Sequence, residues 1–114
     1  MRGALAILLI LLAAHAVAQS DSADTTISLG REVYSQTCMA CHGGDGKGTM
    51  PGVRDLTGED TSLAKPDDVL IRSITEGLTL SDTPIPMPPK GGNPSLGDAE
   101  IRAVLAYMRN EFGS

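Results

Sequence analysis

Two cysteines and a histidine within five residues constrain this chain more than any other feature. The residues Cys38-Met39-Ala40-Cys41-His42 have the C-x-x-C-H spacing of a c-type haem attachment site. Two thiols three positions apart lie on one side of a helical turn, where both can add to the vinyl groups of one porphyrin. The imidazole of His42 follows directly and can bind the iron as its proximal ligand. The motif therefore predicts one covalent haem c, with Cys38 and Cys41 as thioether residues and His42 as an axial ligand.

Three other uses of a C-x-x-C pair compete with haem attachment. A disulfide between Cys38 and Cys41 has the same spacing, and so does a thioredoxin-like redox pair. The redox pair is expected beside a strand-helix-strand pattern, which the sequence lacks. A structural zinc site needs about four Cys or His ligands, whereas the chain has 2 Cys and 2 His, and His15 lies in a segment expected to be removed. Haem attachment is the favoured interpretation.

The N-terminus has the features of a secretory signal peptide. Arg2 precedes an apolar run over residues 4–14, and Ala16-Val17-Ala18 follows as a small-x-small cleavage site. The alternative is an uncleaved membrane anchor, but a bilayer span needs about 20 apolar residues, and this run has 11. We therefore expect residues 1–18 to be removed, the protein to be periplasmic, and no stable membrane insertion afterwards.

Size and composition predict one small domain that depends on its cofactor. Without residues 1–18 the chain has 96 residues, with only 2 Tyr, 1 Phe and no Trp. Side chains alone give such a domain a thin core, to which a buried macrocycle adds apolar surface. Loss of Arg2 changes the formal charge from −5 to −6, which argues against nucleic acid as a partner. Residues 19–28 are polar and are predicted to be a flexible leader before a domain over residues 29–114.

Helical periodicity dominates the domain, so the predicted fold class is all-α, with much ordered loop. A first helix is expected to begin near Leu29 and to end in the haem motif. A second is expected after Pro66, with Val69, Leu70 and Ile74 as its apolar stripe and Gly77 at its end. The last has the clearest apolar face, formed by Ile101, Val104, Leu105, Met108 and Phe112.

The first and last helices are expected to pack against each other. Gly30 has no side chain, which would let Leu105 or Tyr107 approach the backbone of the first helix. Tyr34 lies at helical spacing in the first helix and is interpreted as a packing residue rather than a redox residue.

A glycine-rich loop follows the haem motif over residues 43–48. Glycines beside a cofactor permit tight turns and close approach of the backbone. A phosphate-binding loop is excluded, because no strand precedes this run and its Lys-Ser/Thr ending is missing. Further along, Arg54 either hydrogen-bonds a haem propionate, which its planar fork suits, or faces solvent, and the sequence does not decide between the two.

A proline-rich loop over residues 78–94 carries the predicted second iron ligand. Its 5 prolines exclude both a helix and a central strand. Met87 stands between Pro86 and Pro88, so its thioether sits on a stiffened backbone, as a weak sixth ligand requires. The ordinary role of a methionine is to fill the core. Met50 is the serious rival, and an open or water-bound iron is the remaining alternative.

These motifs together resemble the monohaem class I cytochromes c, and most closely the cytochrome c5 group. The resemblance covers nearly all of the chain after residue 28. It implies the cytochrome c fold, His42/Met87 ligation, packing of the first helix on the last, and one-electron transfer through an exposed haem edge. It rests on Cys38-Met39-Ala40-Cys41-His42-Gly43, Asp45-Gly46-Lys47-Gly48, Met87-Pro88-Pro89-Lys90-Gly91-Gly92-Asn93 and Leu105-Ala106-Tyr107-Met108.

Two departures from that family pattern stand out. The family usually has a proline shortly before the residue matched by Leu56, and its backbone carbonyl accepts the N–H of the proximal histidine. Arg54 takes that place here, which keeps the carbonyl and gives up the rigidity of proline. The extra cysteine pair of some cytochromes c5 is absent, so no disulfide is expected there.

The leading functional prediction is an exported c-type cytochrome that carries single electrons between periplasmic or membrane redox partners and is not itself an enzyme. The alternative is a haem-bearing relay subunit of a periplasmic dehydrogenase or oxidase complex, which would co-purify with a larger partner. A ligand-binding or peroxidatic haem protein is a third hypothesis, and carbon monoxide binding to the reduced protein would reveal its open iron. The partners are predicted to be redox proteins, with a basic docking surface that suits the acidic chain. The protein itself is expected to be a monomer or a subunit of a complex.

Overall fold

The computed structural model describes residues 20–58 and 62–113, and the N-terminal part of this range forms one long helical segment. Helix α1 covers residues 20–33. It continues without interruption through a π-helical turn, Tyr34–Cys38, into the short helix α2, Met39–His42. A π-helical turn inserted in an α-helix commonly marks a functional site, and this one ends at the first cysteine of the haem motif.

The rest of the described chain adds two helices and two short 3-10 turns. Helix α3 covers Asp67–Glu76 and helix α4 covers Asp98–Phe112, while the 3-10 turns lie at Ser62–Ala64 and Pro89–Gly92. Residues 20–58 and 62–113 contain no β-strand, only an isolated bridge between Leu78 and Met87. The predicted all-α class is confirmed.

Helix α1 begins earlier than the expected start near Leu29. Residues 20–28 are helical, although all of them except Ile27 are exposed. Ile27 packs against the core and lies one helical turn before Gly30 and two before Tyr34, so the helix gains a core contact that the polar composition of this segment conceals. The domain boundary between residues 28 and 29 stays a prediction, and the signal peptide predicted for residues 1–18 lies outside the described residues.

Helix α4 is the centre of the core. Its predicted apolar face, Ile101, Val104, Leu105, Met108 and Phe112, is buried. Gly97 is the N-cap, and its backbone N–H donates to the Glu100 carboxylate at 2.9 Å. This bond satisfies one of the donors that the start of a helix leaves free.

The close contact of α1 with α4 depends on a residue without a side chain. A Cβ atom at Gly30 would lie 2.0 Å from the carbonyl oxygen of Ala103 and 2.7 Å from the Cβ of Tyr107. The predicted approach of Tyr107 is confirmed, with Ala103 rather than Leu105 as the second contact. Nearby, the Tyr34 ring lies 5.4 Å from that of Tyr107 and 5.3 Å from that of Phe112. Tyr34 is fully buried, as its interpretation as a packing residue predicts.

Helix α3 begins after Pro66 and ends at Gly77, as the sequence predicts. Leu70 and Ile74 are buried, whereas Val69 is 36% exposed and lies outside the core. The start of α3 is fixed to α4 by Arg109, which pairs with Asp67 and donates to the carbonyl of Lys65 at 2.7 Å.

In the part of the chain that the structure describes, no helix is both long enough and apolar enough to cross a bilayer.

Candidate haem site

The two cysteines lie at the end of the π-helical turn and in α2. Cys38 is half-buried and packs against the core, Cys41 is exposed, and both thiols are free. Burial, with a smaller contribution from Cys41, raises the pKa of Cys38 to about 11. A thioredoxin-like pair requires the opposite, a lowered pKa that produces a thiolate. The raised pKa therefore disfavours the redox pair.

The zinc alternative finds no support either. Over residues 20–58 and 62–113, no group of three or more His, Cys, Asp or Glu side chains is placed to hold a metal ion. His42 is the single histidine in these ranges, and one histidine with two cysteines falls short of the usual four ligands.

The surroundings of His42 favour the neutral form of its imidazole. Burial lowers its pKa, while attraction to the backbone of Arg54 opposes that shift. Nδ1 of His42 is buried and has no hydrogen-bond partner within the described part of the chain. The neutral form is the one that binds metals. Because Nδ1 is enclosed by the protein, the second ring nitrogen, Nε2, is the one left for a metal.

The glycine-rich loop turns back onto the attachment segment. The backbone N–H of Gly48 donates to the carbonyl of His42 at 2.8 Å, and that of Thr49 donates to the carbonyl of Cys41 at 2.9 Å. The Tyr34 hydroxyl donates to the carbonyl of Gly43 at 2.6 Å. Gly46 has a φ of +75°, and a Cβ there would lie 2.8 Å from the Phe112 ring. These contacts hold His42 against the core.

The Met87 loop is the second part of the site. Met87 and Leu78 exchange two backbone hydrogen bonds, at 2.8 and 2.9 Å, and the side chain of Met87 is half-buried against the core. Gly77 has a φ of +82°, and a Cβ there would lie 2.7 Å from the carbonyl oxygen of Met87. The close approach therefore requires glycine at the end of α3.

The end of this loop contacts the attachment segment. A Cβ at Gly91 would lie 2.8 Å from Cγ2 of Thr37, and the Asn93 amide donates to the Thr37 hydroxyl at 3.4 Å. Thr37 immediately precedes Cys38, so the end of the Met87 loop lies against the residue that precedes the haem motif.

Met50, the rival ligand, lies in a different setting. Its side chain is 42% exposed. The preceding residue, Thr49, donates its hydroxyl to the carbonyls of Ala40 and Cys41 at 2.9 and 3.1 Å. Thr49 thus holds this segment to the cysteine turn, and Met50 is more exposed than the half-buried Met87 on the other loop.

Arg54 is paired with a residue that sequence reasoning missed. Its Nη2 donates to both carboxylate oxygens of Asp82, at 3.0 and 2.9 Å. The side chains are 46% and 62% exposed. The sequence predicts for Arg54 either a propionate contact or exposure to solvent, and neither of these roles includes this ion pair. The propionate contact stays a prediction. No local signal could reveal the pair, because the two residues lie 28 positions apart.

The chain's own residues fit a covalently bound haem. Two thiols stand three positions apart, a half-buried imidazole with a lowered pKa follows them, and a thioether lies on the loop that contacts Thr37. Thiol, imidazole and thioether are the groups that attach and ligate haem in c-type cytochromes. Cys38, Cys41, His42 and Met87 are thus the residues that could hold the group.

Comparison with known proteins identifies relatives of this chain. The family model described as "Cytochrome C oxidase, cbb3-type, subunit III" matches residues 25–108. Cytochrome c-555 from Chlorobaculum thiosulfatiphilum is 34% identical over 79 residues, which are 69% of this chain and 88% of the relative. Cytochrome c-555 from Prosthecochloris aestuarii is 29% identical over 100 residues, which cover 84% of this chain and 98% of the relative.

A third relative is much longer than this chain. The fructose dehydrogenase cytochrome subunit of Gluconobacter japonicus is 31% identical over 102 residues, which cover 84% of this chain and 21% of the relative. No solved structure matches the chain at a significant level.

Proposed function

Since this chain belongs to the cytochrome c family and carries one covalently bound haem c, we propose that it is an exported carrier of single electrons whose iron is held by His42 and Met87. The resemblance to the monohaem class I cytochromes c is confirmed, and the narrower placement in the cytochrome c5 group stays a prediction. When bound, haem c supplies a ferric/ferrous couple that accepts or donates one electron.

One observation carries the ligand assignment: the Met87 loop lies against the attachment segment. Asn93 and Gly91 contact Thr37, and the bridge to Leu78 fixes the backbone of Met87. Cys38 and Cys41 would anchor the macrocycle, and His42 would offer a neutral nitrogen. A restrained thioether is suited to electron transfer, because it keeps the iron closed to other ligands in both oxidation states. We assign no catalytic residue.

A second candidate function, an electron-relay subunit within an enzyme complex, is favoured by the longer relative. That protein is the cytochrome subunit of a fructose dehydrogenase, and the match occupies 21% of it. A domain like this one therefore occurs inside larger redox assemblies. Purification from the native membrane and periplasmic fractions tests this candidate: a stoichiometric larger partner supports the relay subunit, and a free monomer supports the carrier.

The choice of redox partner is expected to follow the overall charge. The loops over residues 43–58 and 78–93 have three acidic and three basic side chains, so their charges balance and the formal −6 of the chain after residue 18 dominates at long range. A lysine-rich mitochondrial-type cytochrome should therefore exchange electrons faster than an acidic redox protein. Stopped-flow rates with the basic partner should fall as ionic strength rises past roughly 0.1 M, where the Debye length is about 10 Å.

Rates that stay flat or rise with salt for the basic partner would reject this prediction and indicate an uncharged contact at the haem edge. Failure to exchange electrons with either protein would count against the carrier itself.

A further inference from the structure

We propose that Arg54 is a positioning residue that restrains the Met87 loop through its ion pair with Asp82. The inference rests on the proposed His42/Met87 ligation, which it extends to a specific restraint on the sixth ligand. Asp82 lies in the loop between Leu78 and Met87, five residues before the proposed ligand.

The contact between the two segments extends beyond the ion pair. Arg54 donates to both oxygens of Asp82, and a Cβ at Gly52 would lie 3.2 Å from Cδ of Pro84. Gly52 has a φ of +93°. Residues 52–54 and 82–84 are therefore in contact along their length, with glycine allowing the backbone to approach the proline ring.

Arg54 connects the two parts of the proposed iron site. Its own segment follows the glycine-rich loop that turns back onto Cys41 and His42, while its guanidinium binds the loop that carries Met87. Both oxygens of Asp82 accept from one nitrogen of that guanidinium, Nη2, at 3.0 and 2.9 Å.

The ion pair holds a part of the loop that other contacts leave less restrained. Leu78 and Met87 are bridged to each other, and Gly91 and Asn93 rest on Thr37. Between the bridged residues, residues 79–86 form no helix, and none of them is buried. Asp82 stands in the middle of this stretch, where a tie to the rest of the fold limits its outward motion.

The expected effect is modest, because both side chains are partly exposed and an exposed ion pair contributes little free energy. We expect a two- to fivefold change in the equilibrium for displacing the Met87 sulfur from ferric iron, an order of magnitude typical of such pairs.

The test is a titration of the ferric holoprotein with imidazole, monitored by loss of the sulfur-to-iron charge-transfer band. Near pH 8 imidazole is mostly neutral, since its pKa is close to that of histidine at about 6.5. The variants are Arg54→Gln, Asp82→Asn, their combination, and the reversed pair Arg54→Asp with Asp82→Arg. The matched controls are Arg102→Gln and Asp98→Asn, which break an exposed ion pair of 2.7 Å within α4.

The expected result is that Arg54→Gln and Asp82→Asn each raise imidazole affinity about two- to fivefold. The double variant should show no more than either single change. The reversed pair should return toward wild type, and both control variants should leave the affinity unchanged.

Shifts in opposite directions for the two single variants would overturn the proposal, because they would follow the change of charge rather than loss of the pair. An effect of Arg54→Gln without one of Asp82→Asn would also overturn it and assign Arg54 to a propionate. If the wild-type protein shows the charge-transfer band and none of the variants changes the imidazole affinity, the role of the ion pair is rejected and the Met87 ligation is not affected. Absence of the band from the wild-type protein would overturn the Met87 ligation as well.

Discussion

Replacement of both Cys38 and Cys41 by alanine is expected to give a chain without cooperative thermal unfolding. Half of the buried apolar side chains in the described residues belong to α4, whereas none of residues 78–93 is buried. That segment contains Leu78, Leu80, Ile85 and Met87, so much of its apolar surface needs a partner other than the chain itself. Loss of covalent haem removes the largest apolar component of a domain already near the lower size limit for stability.

The measurement is a thermal melt followed by far-ultraviolet circular dichroism. Met39→Ala is the matched control, since Met39 lies between the two cysteines and is 37% exposed. It keeps both thiols and should melt as the wild-type holoprotein does. A sharp, cooperative transition of the haem-free double variant would contradict the expectation and show that side-chain packing alone specifies the fold.

Gly30→Ala is expected to destabilise the protein by about 1–3 kcal/mol, the usual cost of overpacking a core. The added Cβ would lie 2.0 Å from the backbone oxygen of Ala103, and backbone cannot rotate away as a long side chain can. Helices α1 and α4 must therefore separate at their closest point. The sign of the stability change is informative, because alanine in an exposed helix interior is favoured over glycine by about 1 kcal/mol. A loss of stability in Gly30→Ala therefore reports the clash with α4.

Gly44→Ala is the control for this substitution. A Cβ at Gly44 meets nothing within 4 Å, and its backbone lacks the positive φ that penalises alanine. Denaturant unfolding of the two holoproteins should show a lower midpoint for Gly30→Ala and little change for Gly44→Ala. A Gly30→Ala protein as stable as wild type, or more stable, would mean that the helices do not cross at this residue.

Features governed by local chemistry could be predicted from the sequence. The apolar periodicity of α4, the proline start and glycine end of α3, and the need for a small residue at Gly30 all follow from short-range rules. The assignment of the haem motif likewise depends on five adjacent residues. The residues that determine each of these features lie within one or two helical turns of one another in the sequence.

Features that depend on tertiary contacts could not be predicted. The ion pair of Arg54 with Asp82 joins two loops, and neither residue carries a local sign of its partner. Val69 matches a helical stripe, yet it lies at the edge of the face that α3 buries. The early start of α1 depends on the single core contact of Ile27, which the polar residues around it conceal. In each case the packing of distant segments decided the outcome.

The central claim, that Met87 supplies the second axial ligand beside His42, is tested most directly by the ferric absorption spectrum of two variants. Met87→Ala should lose the sulfur-to-iron charge-transfer band at the red end of the spectrum, and its reduced form should bind carbon monoxide readily. Met50→Ala, which removes an exposed thioether from the loop after the cysteine turn, should keep the band and bind carbon monoxide poorly. Loss of the band in Met50→Ala with its retention in Met87→Ala would contradict the account.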